Sequence, residues 1–287
     1  VVVVRSHGAH YGALEEPLPA PELPAGQART VPEAALRELF LLWGLDGEHA
    51  RQPGWNPLGD LCPPGARVVL KPNWVLHYNQ SGHSLDCLLT HPALIEAVAQ
   101  YVALIRPARL IIGDAPIQGC DFSALRRACD LDGMAARLAR LGLPVELVDF
   151  RRTILEGGAL GAPRREGVRE MKDFVLFDLK GESLLEALAG QSDRFRVTMY
   201  NPEILARAHA PGRHQYLIAR EILEADVVIS LPKLKTHKKT GLTGALKNLV
   251  GINGHKEYLP HHRKGGHDAG GDCYSGRSWW KSRAEDL

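Results

Sequence analysis

Short apolar runs alternate with helical periodicities along most of the chain. ARVVLK at 66–71, ARLIIG at 108–113, VELVDF at 145–150 and DVVISL at 226–231 are continuous and rich in β-branched residues. That is the pattern of strands buried on both faces of a sheet. Residues 92–105 and 122–141 repeat apolar positions every three to four residues, which predicts helices capped by Thr90 and Asp121. VPEAALRELFLLWG at 31–44 sets Ala35, Leu36, Leu39 and Leu42 at helical spacing. With Pro32 at its start and Gly44 at its end, it predicts a helix over 32–43. Residues 216–223 and 240–250 also read as helices. Strands followed in turn by helices predict an α/β fold: a mainly parallel sheet with flanking helices in Rossmann-like layers.

The remaining stretches are less regular. Residues 1–5 (VVVVR) read as a short strand, and PLPAPELPAG at 17–26 as an exposed loop that neither a helix nor a central strand could accommodate. Residues 151–210 are mixed and charged, with a turn-rich EGGALGAP at 156–163 and strand candidates at 174–179 and 196–200. They predict a small inserted α+β segment. The chain thus divides into 1–60 (strand, Pro-rich loop and helix), 61–150 (first α/β half), 151–215 (insertion) and 216–287 (second α/β half). The end, SWWKSRAEDL, reads as an amphipathic helix whose Trp279 and Trp280 want cover, from chain continuing past Leu287 or from another subunit in a homo-oligomer. The absence of an initial Met suggests a start that is processed or missing.

Charge is almost balanced, with 35 Lys+Arg against 33 Asp+Glu in 287 residues, so any strong field must be local. It is concentrated in PKLKTHKKTGLTGALKNLVGINGHKEYLPHHRK at 232–264, where Glu257 is the sole carboxylate. No apolar run approaches the roughly 20 residues of a membrane span. The five cysteines form no CxxC pair, which argues against a disulfide framework, a zinc ribbon or an iron–sulfur cluster and for reduced thiols in the cytoplasm.

In open α/β sheets, ligands bind outside the carboxyl ends of the strands. The first strand there delivers Lys71 and Asn73, the second Asp114 and Gln118, the third Asp149, and the fourth Lys233, Lys235, Thr236 and His237. Each has an ordinary alternative, such as a lysine that is merely the first solvated residue after a strand. Their convergence marks a cleft. Thr240, Gly241, Thr243 and Gly244 open the helix expected at 240–250, preceded by Lys238 and Lys239, a phosphate or carboxylate site in which unpaired N–H groups face the anion. Lys247 and Asn248 follow one to two turns on. His255, His261, His262 and His267 with Asp268 and Asp272 leave metal binding, proton transfer and a solvated loop all open. A divalent metal would draw on His255, His262 and Asp272.

The runs VVLKPNW, THP, GDAPIQG, ADVVISLPKLKTHKKTGLTGALKNLVGINGHKEYLPHHRKGG and GGDCY resemble the family catalogued as domain of unknown function 362, over roughly residues 66–274. The resemblance implies that Lys71, Asn73, Asp114, Lys235, Thr236, His237, Lys247, Asn248, Lys256, His261 and Arg263 are functional. It also implies links to iron–sulfur proteins, from which this chain departs in its cysteine spacing.

These readings favour a cytoplasmic enzyme acting on a small phosphorylated or carboxylated substrate. Lys233, Lys235, Lys247, Lys256 and Arg263 would hold the anion, His237 or His261 would move a proton, and Lys71 and Asp114 would complete the catalytic set. A metal- or iron–sulfur-linked redox protein is the first alternative. A nucleic-acid or polyanion surface is the second, disfavoured because the basic segment holds one aromatic, Tyr258, where stacking needs several.

Overall fold

A computed structural model describes residues 2–5, 11–23, 26–155, 164–166, 169–197, 202–237 and 241–285. The chain folds as a mixed α/β protein of two compact units. Unit 1 comprises residues 1–116, 120–149 and 224–249; unit 2 comprises 117–119, 150–223 and 250–287.

Residues 2–5 form no strand, because among the described residues they find no ladder partner. The chain instead begins its structure with β1 (Ala13–Pro19) and β2 (Gln27–Thr30), an antiparallel pair. The Pro-rich stretch therefore lies partly within a strand, tolerated because a two-stranded ribbon has only edges. Helix α1 (Val31–Trp43) follows. Thr30 and Glu33 form a reciprocal capping box, and Gly44 ends the helix with φ 79°, a left-handed value that a side chain would resist. Then come β3 (Arg67–Pro72), α2 (Pro92–Leu104) and β4 (Arg109–Asp114). The cap of α2 is His91, whose ring accepts from Ala93 N–H; Thr90 is committed elsewhere. The single helix expected at 122–141 is two, α3 (Phe122–Ala128) and α4 (Leu131–Arg140). Asp130 separates them at φ 47°, a conformation that Asp adopts more readily than most side chains. Asp121 caps α3 as predicted, and β5 (Glu146–Asp149) completes this stretch.

The middle of the chain builds much of unit 2: β6 (Thr153–Leu155), β7 (Arg164–Glu166), β8 (Phe174–Asp178), β9 (Phe195–Arg196), α5 (Pro202–Ala208), β10 (His209–Ala210), β11 (Arg213–Ala219) and α6 (Arg220–Glu224). The turn-rich 156–163 and the end of the strand expected at 196–200 lie outside the described residues. The helix expected at 216–223 is mostly strand. Gln215–Ala219 pair antiparallel with Asp178–Phe174, and only residues 220–224 are helical. Strands β10, β11 and β8 form one antiparallel sheet.

The chain then returns to unit 1 with β12 (Val227–Leu231), the hairpin β13 (Lys235–His237) and β14 (Gly241–Thr243), and the one-turn α7 (Ala245–Asn248). The helix expected at 240–250 is thereby corrected. Gly241 sits at φ 73° beyond β13, residues 241–243 pair back on it, and helical geometry begins only after Gly244. No long helix presents its N-terminus at Thr243. Strand β15 (His262–Arg263) pairs with β9, and α8 (Trp279–Ala284) carries exposed Trp279 and Trp280.

The central sheet of unit 1 is wholly parallel, in the order β12-β3-β4-β5. From β3 the chain steps one way through β4 to β5, whereas β12 joins on the other side of β3. The strand order therefore reverses between β3 and β12, where α/β sheets open a crevice at their carboxyl ends. Val68, Leu70, Leu110 and Ile112 join Ile95, Val98, Tyr101 and Val102 of α2 in a single apolar core.

Candidate functional site

Lys71, next to last in β3, is fully buried. Its Nζ lies 2.7 Å from Asp114 Oδ1 at the end of β4 and donates to Pro72 O at 2.7 Å and Asn248 Oδ1 at 3.0 Å. All three ammonium protons thus have acceptors. Asp114 also accepts the backbone N–H groups of Trp74 and Ala115. Asn248 donates through Nδ2 to Lys71 O at 2.9 Å and to Ser230 Oγ at 3.0 Å. Ser230 is the register partner of Lys71, so one amide ties α7 to both central strands. Burial pushes the Lys71 ammonium below its ordinary range, against the opposing pull of Asp114.

A second set of bonds lies beside the first. Thr90 Oγ1 accepts from Asn73 N–H at 2.9 Å and donates to Leu231 O at 2.6 Å, linking the ends of β3 and β12. Asn73 Nδ2 donates to Leu88 O at 3.0 Å. The same carbonyl accepts from Lys235 Nζ at 2.6 Å. Beside these contacts stand Lys233, Lys235 and Lys247, all partly buried and near enough that the first and third act on the second.

Lys235 is half-buried and pushed down to about 8, first by burial and further by Lys233 and Lys247, while Asp114 and Cys87 pull the other way. Burial also lowers Lys247, for which no carboxylate lies within ion-pair distance among the described residues. Lys233 donates to the Tyr11 hydroxyl at 3.2 Å and lies over the Tyr11 ring, which stacks on His91 at 4.1 Å. Burial lowers the His91 ring's proton affinity, Asp86 raises it and Lys233 lowers it again. On β13, Lys235 and His237 share one face and Thr236 takes the other. Thr243, opposite Lys235 in the hairpin, is buried, and its Oγ1 has no hydrogen-bond partner among the described residues. Lys238 and Thr240 lie outside the described residues.

Unit 1 therefore brings together Lys71, Asn73, Asp114, Lys233, Lys235, Lys247 and Asn248. Lys256, His261, Arg263, His255, His262 and Asp272 belong to unit 2. There, His255 is buried and its Nδ1 accepts from Glu257 N–H at 3.3 Å; Lys256 is buried too. His261 Nδ1 faces Leu259 O at 2.8 Å. Arg263 N–H donates to Asp272 Oδ1 at 2.6 Å. His262 groups with Cys273 and Glu285, a set that includes neither His255 nor Asp272. Gln118, also in unit 2, is buried and donates to Thr153 Oγ1 at 3.2 Å.

Sequence reasoning passed over Ser230, Tyr11, Cys273 and Glu285, and took Thr90 for a cap. Ser230 was legible as the one polar residue within an apolar strand run. Tyr11 and Glu285 carried no local signal, since each reaches its partners across long stretches of chain.

Residues 185–282 match the family described as Domain of unknown function (DUF362). The match bears out the resemblance read from the sequence and includes the basic segment. The chain is also 28% identical over 214 residues to a thylakoid-associated protein of Synechocystis sp., an alignment covering 74% of this chain and 47% of that protein. The chain thus spans about half the length of this curated relative. No solved structure gives a significant match. Among the described residues, no helix is long and apolar enough to cross a membrane.

Proposed function

We propose that the protein is a cytoplasmic enzyme whose unit 1 binds a small phosphorylated or carboxylated substrate beyond the ends of β3 and β12. The observation that carries this reading is the group formed by Lys233, Lys235 and Lys247. The carboxylate that pulls on Lys235, Asp114, already lies 2.7 Å from the buried Lys71. A substrate anion would supply the missing negative charge. Treating the sheet as Rossmann-like, with helical layers on its faces, puts the anion where such folds hold ligands.

In this reading the roles separate by burial. Lys71, Asp114 and Asn248 are positioning residues that fix the ends of β3, β4 and α7. Lys235, held near 8, is the group suited to exchange a proton with substrate at physiological pH, and His237 shares its face of the hairpin. Lys233 and Lys247 contact the anion, and the Thr243 hydroxyl, without a hydrogen-bond partner among the described residues, offers a further polar contact. The test is calorimetric titration with inorganic phosphate and with a panel of phosphorylated and carboxylated metabolites. Lys235→Ala and Lys247→Ala are each expected to weaken the best ligand at least about tenfold, a loss of roughly 1.4 kcal/mol. Unchanged affinity in both variants would remove the site.

A further inference from the structure

His262, Cys273 and Glu285 come from three segments of unit 2 and meet without belonging to the lysine site. His262 lies on β15, anchored by its pairing with β9. The segment carrying Cys273 runs beside it: Asp272 N–H donates to Arg263 O at 3.1 Å and Cys273 N–H to Gly265 O at 3.2 Å. Glu285 follows α8, and its Oε2 accepts from Gly265 N–H at 2.7 Å. The packing between these segments is close enough that a Cβ on Gly271 would stand 2.0 Å from Gly265 O. One imidazole nitrogen, the Cys273 sulfur and one Glu285 oxygen lie within 4.8 Å of one another, all on partly exposed residues.

We propose that His262, Cys273 and Glu285 bind a divalent transition-metal ion of the zinc type, with the fourth position open to water or another ligand. Nitrogen, sulfur and oxygen donors together suit zinc, whereas magnesium and calcium take oxygen alone. Tetrahedral bonds of about 2.0–2.3 Å set ligand atoms about 3.3–3.6 Å apart. Closing on the ion therefore takes roughly an ångström of side-chain movement from hydrogen-bonded backbones. Partial exposure leaves an entry path. Cys273 binds as thiolate and His262 as neutral imidazole, so the thiol proton passes to solvent, no electron moves, and affinity falls as pH is lowered. The sequence left metal binding open, with His255, His262 and Asp272 as the ligands a metal would draw on. Asp272 instead holds Arg263, and His255 accepts a backbone N–H.

The test uses the full chain stripped of metal and titrated with Co2+, whose thiolate complex has a charge-transfer band in the near ultraviolet. The band is expected in the wild type and in Cys87→Ser. Loss of a second-shell partner alone weakens metal binding about 10–100-fold, so Cys273→Ser is expected to abolish the band and weaken Co2+ by roughly 100-fold or more. Should that variant fail to fold, protection of Cys273 from iodoacetamide by Zn2+ in the wild type, mapped by peptide mass spectrometry, gives the same answer. A wild type without the band, a band that survives Cys273→Ser, or a Cys273 alkylated equally fast with and without Zn2+ overturns the proposal.

Discussion

Asp114→Ala probes the scaffold of unit 1 most directly. The substitution leaves Lys71 wholly buried with two neutral acceptors and no counter-charge, and it strips two backbone donors, Trp74 and Ala115, of their carboxylate. Breaking a buried ion pair by removing one partner costs about 3–5 kcal/mol. A ceiling follows from titration. The lysine can escape by giving up its proton, and neutralising a group of ordinary pKa about 10.4 at pH 7 costs about 4–5 kcal/mol at 1.36 kcal/mol per unit. The unmet backbone donors add about 1–3 kcal/mol each where water cannot reach them. A loss of about 4 kcal/mol or more is a large share of the 5–15 kcal/mol that folds a typical domain.

The pH dependence carries the sign. Lys71 is already held below its unfolded pKa, so the unfolded chain binds more protons and this group's contribution to stability rises with pH toward about 10.4. Without Asp114 the folded value drops further, and the variant regains more stability between pH 7 and 9 than the wild type does. Urea unfolding of both chains at the two pH values, compared as midpoints at constant slope, isolates this difference. The double variant Lys71→Met/Asp114→Asn is expected to cost clearly less than the sum of its single changes. A penalty under about 1 kcal/mol at pH 7, or equal pH responses in the two chains, would refute the claim that Lys71 is a charged, buried, Asp114-dependent group.

Further expectations concern both units. The Lys235 ammonium, followed by NMR after reductive methylation, should titrate near 8, and phosphate affinity should weaken as pH rises above that value; titration at the ordinary lysine value would contradict it. His209 is buried, with Nε2 2.8 Å from Tyr258 O and Nδ1 3.3 Å from His214 Nδ1, and burial lowers its pKa. Its folded pKa lies below the unfolded value, so stability should fall as pH drops below about 6.5, by up to about 1.4 kcal/mol per unit, and His209→Gln should flatten that slope in acid unfolding. Gly254→Ala would place a Cβ 2.2 Å from Phe174 Cε1, so a loss of about 1–3 kcal/mol in denaturant unfolding is expected from overpacking. Thr30→Ala should cost about 1 kcal/mol, because it removes the hydroxyl that caps α1.

The parallel strands were legible because each is a short, mostly apolar run, and β3 and β4, buried along all but their first residue, have little freedom to be anything else. Their bounds shift by a residue or so, as at β3 and β4. Residues 216–219 were misread because YLIA suits either periodicity; what decides is the ladder to Phe174–Phe177, some 40 residues away. The start of the helix expected at 240–250 failed similarly, whereas residues 245–250 are helical. TGLTG can open a helix or close a hairpin, and pairing with Lys235–His237 selects the hairpin. Within the site, Lys71, Asp114 and Lys235 followed from strand ends alone. The Asn248 bond to Ser230 could not, since it joins a one-turn helix to a strand through a single amide.

Lys71 and Lys235 show how neighbouring strand ends can give one residue type two kinds of work. Both pay desolvation, and burial lowers both. Lys71 recovers through a carboxylate and two neutral acceptors, leaving no vacant direction from which a ligand could approach. Lys235 has a carbonyl, the pull of an Asp114 already paired with Lys71, and two basic neighbours. A ground state short of negative charge is the condition under which an incoming anion gains most, because it raises the lysine's pKa as it binds. By linkage, Lys235 should take up protons as the anion binds near pH 8, and buffers of different ionisation enthalpy should therefore report different apparent heats of phosphate binding. Heats independent of buffer would mean that the ligand never feels Lys235, whatever else it touches.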